Sequence, residues 1–147
     1  MQRLLTMLGG GALLVATGTE LAAVLGRYIG VPLLGSIELV QAAVLVSAST
    51  SIVLATIAGR HAMVHLLLDR VGPRARAWLQ RVNYGGAVLF FCALAAGSIW
   101  IASELWSGHE ETELLRIGYR PLRILAIGAV LGTALLFLRL AFRERHR

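Results

Sequence analysis

Lysine is absent from this chain, and charged side chains make up only 15% of its 147 residues. Soluble domains usually carry about a quarter charged residues. Hydrophobic residues reach 57% of the chain, and all 14 basic side chains are arginines. This composition argues against a water-soluble fold and favours a protein that lies mostly in lipid.

Cysteine is almost absent as well, since Cys92 is the only one and lies within an apolar run. A single thiol excludes a disulfide framework and a thiolate metal cluster. The chain also has no glycine-rich phosphate loop, nucleophile motif or metal-ligand spacing. We therefore expect no catalytic residue, no cofactor and no metal, and we predict that the protein is not an enzyme.

Four long apolar stretches dominate what is present, at about 4–25, 33–58, 84–105 and 122–142. Each is close to the ~20 residues that a helix needs to cross a bilayer core, and in lipid such a segment must be helical. Arg3 before the first run is compatible with a signal peptide, but the run continues through Leu25 without a good cleavage site. The sequence predicts an all-α integral membrane protein, a single domain over 1–147 with four transmembrane helices.

The arginines are distributed unevenly along the chain. Five of them lie in the middle hinge and four near the C-terminus, whereas the connection between spans one and two has only Arg27. The third connection is instead rich in glutamate. The positive-inside rule then places both termini and the hinge in the cytoplasm. Arginines that flank spans are explained by topology, so we expect contact with membrane lipids and no nucleic-acid partner.

The hinge at about 60–82 has an amphipathic pattern. His61, His65 and Asp69 recur every four residues, and apolar residues occupy the opposite face. This pattern predicts a helix lying on the cytoplasmic membrane surface, broken near Pro73, which can open the next helix at its first turn. Two histidines and one aspartate could bind a metal or sense pH, but a solvated polar face is the favoured interpretation because nothing nearby completes a ligand set.

Small residues recur at every fourth position of the spans, which is how helices approach one another in lipid. Span two has the longest series, which includes Ser47 and Ser51; the other members are Ala43, Ala55 and Gly59. Shorter series occur in the other spans, at Gly18, Ala22 and Gly26, at Ala93 and Gly97, and at Gly128 and Gly132. These faces pack within a four-helix bundle on one interpretation, and on the other they also receive a partner helix.

Glu20 and Glu38 are ionisable groups within predicted spans, and such groups are candidates for function. Arg27 lies between them in sequence, so all three should lie at similar depth near the outer face. The favoured interpretation is that Arg27 pairs with one or both carboxylates, or that a partner protein supplies the positive charge. Both acids lie near the interface, where burial costs less than at mid-bilayer.

Three stretches together carry a resemblance to a known family: LGRYIGVPLLGSIELV, GRHAMVHLLLDRVGPRARAWLQRV and TELLRIGYRPLRILAIGAVLG. The chain resembles the small membrane subunit of tripartite ATP-independent periplasmic (TRAP) transporters, the DctQ-type family. The matching positions are Arg27, Glu38, Gly59, His61, Val64, Thr112, Leu115 and Gly128. The chain departs from the family pattern where a tryptophan usually precedes the span-two glutamate, at His65 in place of an aspartate, and at Gly118 in place of a proline.

The resemblance implies a non-catalytic small permease subunit of the bacterial inner membrane. Such a subunit braces a large multi-span subunit, which takes up a solute, expected to be an organic acid, by symport with sodium. A periplasmic solute-binding protein delivers the solute and would meet the acidic segment 110–113, which could equally be a solvated loop. Arg27 and Glu38 would then fix the outer hairpin or contact a partner.

Two other interpretations compete with this one. A small multidrug-type antiporter would exchange protons for drug through Glu20, although that residue lies near the outer interface and the long hinge has no role in such a protein. A membrane anchor that binds haem or quinone would need histidines inside facing spans, whereas all four histidines lie in hinges or the tail.

Overall fold

A computed structural model describes residues 2–58, 72–108 and 110–145 of the chain. It is all-helical over this part, with α1 at Gln2–Tyr28, α2 at Ser36–Ile57, α3 at Pro73–Glu104 and α4 at Tyr119–Arg145. Each helix contains a segment long and apolar enough to cross a membrane, which in α3 is Trp78–Glu104 and in α4 is Tyr119–Phe142. The predicted class, an all-α protein with four candidate spans, is confirmed.

The helices extend the predicted spans at most of their ends. The largest difference is at α3, which begins at Pro73 and runs without interruption into the third span. The fixed φ of proline suits the first turn of a helix, where its missing N–H would have no partner. Residues 73–82 of the predicted hinge are therefore the first turns of α3. Residues 60–71 of that hinge, including His61, lie outside the described residues.

The helices pack as neighbours in the order α1, α2, α4, α3, and in the described residues α1 makes no extensive contact with α3 or α4. α1 and α2 approach closely at Gly9, where an added Cβ would lie 2.6 Å from the Thr50 hydroxyl oxygen. In each span only 17% of the most apolar window is buried within the chain. Most of the helical surface is thus left for lipid or for another protein.

An aromatic cluster joins α3 to α4. The rings of Phe91 and Phe137 stack with centroids 5.6 Å apart, and Tyr84 lies 6.4 Å from Phe137. Ile52 of α2 packs against the same cluster. Stacked and tilted aromatic pairs add to the stabilisation from burial alone, so this cluster ties three of the four helices together.

Buried hydroxyls are satisfied within their own helices. Thr19, Thr50, Thr56 and Thr133 each donate a hydrogen bond to the carbonyl four residues earlier, at 2.7–2.8 Å. In lipid an unsatisfied hydroxyl would be costly, and this local bond removes the cost without a second helix. These threonines can therefore line helix contacts as compact side chains.

Candidate functional site

The α1–α2 turn and the α3–α4 connection meet at one end of the molecule, called here the loop end. The turn begins where the Val31 N–H donates to the Gly26 carbonyl at 2.8 Å. Gly30 and Gly35 have φ angles of 78° and 79°, in the left-handed region that favours glycine. Gly35 directly precedes α2, and its carbonyl accepts the first helical hydrogen bond from the Leu39 N–H at 3.2 Å.

Glu38 connects the first turn of α2 to the α3–α4 connection. One carboxylate oxygen accepts a hydrogen bond from the Leu114 N–H at 2.9 Å, and the other accepts one from the Leu115 N–H at 2.8 Å. Hydrogen bonds to an ionised group are stronger than those between neutral groups. Glu38 therefore clamps a segment that lies 76 residues further along the chain.

Gly35 completes this contact from the apolar side. A Cβ on Gly35 would lie 2.8 Å from Cγ of Leu115. The leucine side chain can therefore rest against the backbone only because residue 35 has no side chain. Leu115 is held twice, through its amide by Glu38 and through its side chain by Gly35.

The connection also has its own internal structure. The Thr112 N–H donates to the Ile117 carbonyl at 3.0 Å, and the Thr112 hydroxyl accepts from the Ile117 N–H at 2.9 Å. Glu111 and Gly118 form an isolated antiparallel bridge around the same turn, and Arg116 has a φ of 51°. Thr112 is 5% exposed, so it is the internal anchor of the turn.

Two arginines from the first turns of α4 hold the flanks of the connection. Arg120 donates to the Trp106 carbonyl at 2.7 Å, and its guanidinium carbon lies 5.6 Å from the centre of the Trp106 ring. Arg123 forms an ion pair with Glu110 and lies 5.9 Å from the Tyr119 ring. A planar guanidinium can bond and stack at once, which an ammonium group cannot do.

The predicted pairing of Arg27 with Glu20 or Glu38 is not seen in the described residues. Arg27 and Glu20 are exposed and form no ion pair there, and the ion pair in that part of the chain joins Arg123 to Glu110. Glu38 instead uses both oxygens on backbone N–H groups. The physical reason is proximity. The turn at 112–115 places backbone N–H groups beside the first turn of α2, where they bond to the Glu38 carboxylate.

The small residues that the sequence singled out separate into two groups. Ala43 and Gly26 are buried, and Ser47 is partly buried, whereas Ser51, Gly18, Ala22, Ala93, Gly97 and Gly128 are exposed. An added Cβ at Gly18, Gly97 or Gly128 would meet nothing within 4 Å. Gly18, Gly97 and Gly128 are therefore not used for packing among the described residues.

The partners of Glu38 were not predicted from the sequence. Leu114 contributes only its backbone N–H, and Gly35 contributes the absence of a side chain. Two features of the sequence relate to this contact. One is the acidic residue in the first turn of α2, and the other is the presence of Thr112 and Leu115 in the family motif. A first-turn glutamate is ordinarily explained by the helix dipole, so the long-range contact could not be foreseen. Among the described residues no group of three His, Cys, Asp or Glu could hold a metal ion.

This geometry can position a loop and present it to a partner. The family model that matches the chain describes tripartite ATP-independent periplasmic transporters, DctQ component, and the match covers residues 6–146. The chain belongs to the DctQ family. Comparison with curated proteins and with solved structures gave no match. DctQ proteins are the small permease subunits of TRAP transporters, so the resemblance noted in the sequence is confirmed, and the antiporter alternative receives no support.

Proposed function

We propose that this DctQ subunit is a non-catalytic membrane scaffold that braces the large multi-span subunit of a TRAP transporter. The large subunit would carry out sodium-coupled uptake of an organic acid delivered by a periplasmic binding protein. The family match over residues 6–146 carries this proposal. The exposed helix faces support it, because glycines whose added Cβ would meet none of the described residues leave room for a partner helix.

In this proposal the loop end faces the periplasm of a bacterial cell. The arginine-rich hinge and C-terminus favour the cytoplasm at the opposite end. The clamp between Glu38 and the 112–115 turn would then hold the acidic connection in one conformation on the periplasmic surface. A preordered loop loses less entropy on binding than a mobile one, which suits a contact with the binding protein.

The first experiment purifies the tagged chain from its native membranes in mild detergent and identifies what accompanies it. We expect a stoichiometric multi-span membrane protein of larger size. Recovery of the chain alone or only as a self-dimer would contradict the proposal, and proton-coupled efflux through Glu20 would then be measured instead.

The orientation is tested separately with single cysteines in a Cys92→Ser background. Ser107→Cys places a thiol at the loop end, and Ala58→Cys places one at the opposite end of α2, both at exposed positions. A membrane-impermeant maleimide added to intact spheroplasts should label the first and not the second. The reverse labelling would overturn the assigned orientation.

A further inference from the structure

α1 has a different chemical character on each of its faces. The face toward α2 is formed by small residues, and its buried members are Gly9, Ala16, Thr19, Ala23 and Gly26. Their spacing of seven, three, four and three residues is that of a continuous helical contact stripe. On one side of this stripe lies a flank of residues that come about one position earlier in the chain. This flank is exposed and entirely apolar. It includes Leu8, Gly11, Val15, Gly18, Ala22 and Leu25.

On the other side of the stripe lies a flank of residues that come about one position later in the chain. This flank carries polar groups and is called here the polar seam. It consists of Thr6, Gly10, Leu13, Thr17, Glu20 and Val24, all of them exposed. The residues alternate at intervals of four and three, so they share one side of the helix. Arg3 and Arg27 continue the same series at the two ends. Of the polar residues inside α1, only Thr19 lies on the buried stripe.

Glu20 lies on the outer side of the bilayer midplane but still within the hydrocarbon core, where a carboxylate favours a polar or charged partner. It lies eight residues before the end of α1 at Tyr28, which at 1.5 Å per residue is about 12 Å along the axis. The helix is about 40 Å long, so with a hydrocarbon core of about 30 Å the carboxylate lies roughly 7 Å inside the core when the helix is centred. Ionisable groups at such depth almost always pair or face a protein interior.

The polar seam borders α2 near the start of α1. A groove of about 440 Å³ between the two helices is lined by Gln2, Thr6, Ser51, Leu54, Ala55 and Ala58. Ser51 is exposed there, and small side chains along a groove allow another backbone to approach closely. Thr6 belongs to both the seam and this lining, so the groove meets the seam near the start of α1.

We infer that the polar seam of α1 is the docking surface for a transmembrane helix of a different chain, which places an arginine or lysine opposite Glu20. Charge complementarity identifies this occupant, since a cation at the same depth neutralises the carboxylate in lipid. A second copy does not fit, because two chains inserted in the same orientation would oppose Glu20 to Glu20. This inference rests on the proposed function and specifies which face of the subunit meets its membrane partner.

The test purifies full-length tagged variants from native membranes and measures how much of the multi-span partner accompanies each. Glu20→Arg should reduce recovery at least about tenfold because it opposes like charges, and Glu20→Gln should reduce it less because an amide still forms hydrogen bonds. Glu104→Gln removes an exposed carboxylate at the end of α3 and should leave recovery unchanged. Recovery that is equal for all variants would overturn the inference.

A steric comparison keeps the inference testable if the charge variants fail to insert. Thr17→Trp and Val24→Trp enlarge the polar seam, and Val15→Trp and Ala22→Trp enlarge the apolar flank of the same helix. Only the first pair should reduce partner recovery. A reduction by the second pair alone would place the partner on the other flank and overturn the inference.

A cross-linking control tests whether a second copy of the chain occupies the seam. Thr17→Cys in a Cys92→Ser background should give no disulfide-linked dimer under mild oxidation, and an efficient dimer would show that a second copy occupies the seam. If the unmodified chain recovers no larger membrane protein, the proposed function itself fails. If it does and no seam variant matters, only the assignment of the surface fails.

Discussion

Single glycines decide how closely backbones approach in this subunit. At Gly9 the missing side chain allows α1 to contact Thr50, whose hydroxyl donates to the Val46 carbonyl at 2.8 Å and the Ser47 carbonyl at 3.0 Å. A Cβ would require the hydroxyl to rotate and lose these bonds, or the helices to separate. In lipid, where apolar burial does not drive association, such close packing supplies much of the attraction.

We predict that Gly9→Ala destabilises the α1–α2 pair by about 1–3 kcal/mol, the usual cost of overpacking a tight contact. Gly11→Ala is the matched control, because a Cβ there meets nothing within 4 Å and alanine favours the helix. Thermal unfolding in mild detergent should show a lower midpoint for Gly9→Ala only. Equal midpoints would mean that the contact with Thr50 contributes nothing.

The two glycines of the α1–α2 turn offer a second comparison. Both have φ near 79°, so alanine at either position carries a backbone strain of about 1–2 kcal/mol. At Gly35 the added Cβ also crowds Leu115, whereas at Gly30 it meets nothing. We expect Gly35→Ala to lower the unfolding midpoint more than Gly30→Ala. An identical decrease for the two variants would exclude a packing role for Leu115.

At the scale of elements, a side chain on one helix organises the connection between two others. Glu38 holds the backbone of residues 114 and 115, Thr112 closes the turn from inside, and Arg120 holds Trp106 on its flank. Through these contacts, backbone groups at 106, 112, 114, 115 and 117 are bonded to α2, to α4 or within the turn itself.

We predict that Glu38→Ala releases this connection without unfolding the helices. The amides of Leu114 and Leu115 lose their acceptors and should exchange with deuterium at least about tenfold faster, because local opening then requires breaking fewer bonds. Hydrogen exchange followed by mass spectrometry measures this on the purified protein. Glu111→Gln should leave the exchange of the same peptide unchanged, and an unchanged rate in Glu38→Ala would show that the clamp is not needed.

At the scale of the whole molecule, the row of helices has two exposed sides and little interior. α2 and α4 contact neighbours on both sides, whereas α1 and α3 each have one extensive helix contact in the described residues. With only 17% of each span window buried, the chain lacks an enclosed path for a solute across the part described. This geometry suits a scaffold that presents wide faces to a partner.

We therefore predict that the subunit reconstituted alone in liposomes transports nothing. With its large subunit and binding protein, uptake of an organic acid should appear and should depend on an inward sodium gradient. Collapse of the gradient with a sodium ionophore should abolish uptake. Transport by the small subunit alone, measured as proton-coupled flux, would contradict the scaffold proposal.

The sequence alone determined the four helices and the family, and the tertiary structure determined their neighbours. A span is recognisable from its own residues, because transfer into lipid and internal backbone bonding are local properties of about twenty residues. The order α1, α2, α4, α3 and the partners of Glu38 depend on segments that are distant in sequence. Contacts of that kind are selected by the shapes of folded surfaces, and residue types do not specify them. The polar seam lies between these cases: its spacing is visible in the sequence, but only packing showed that α2 occupies the adjacent face.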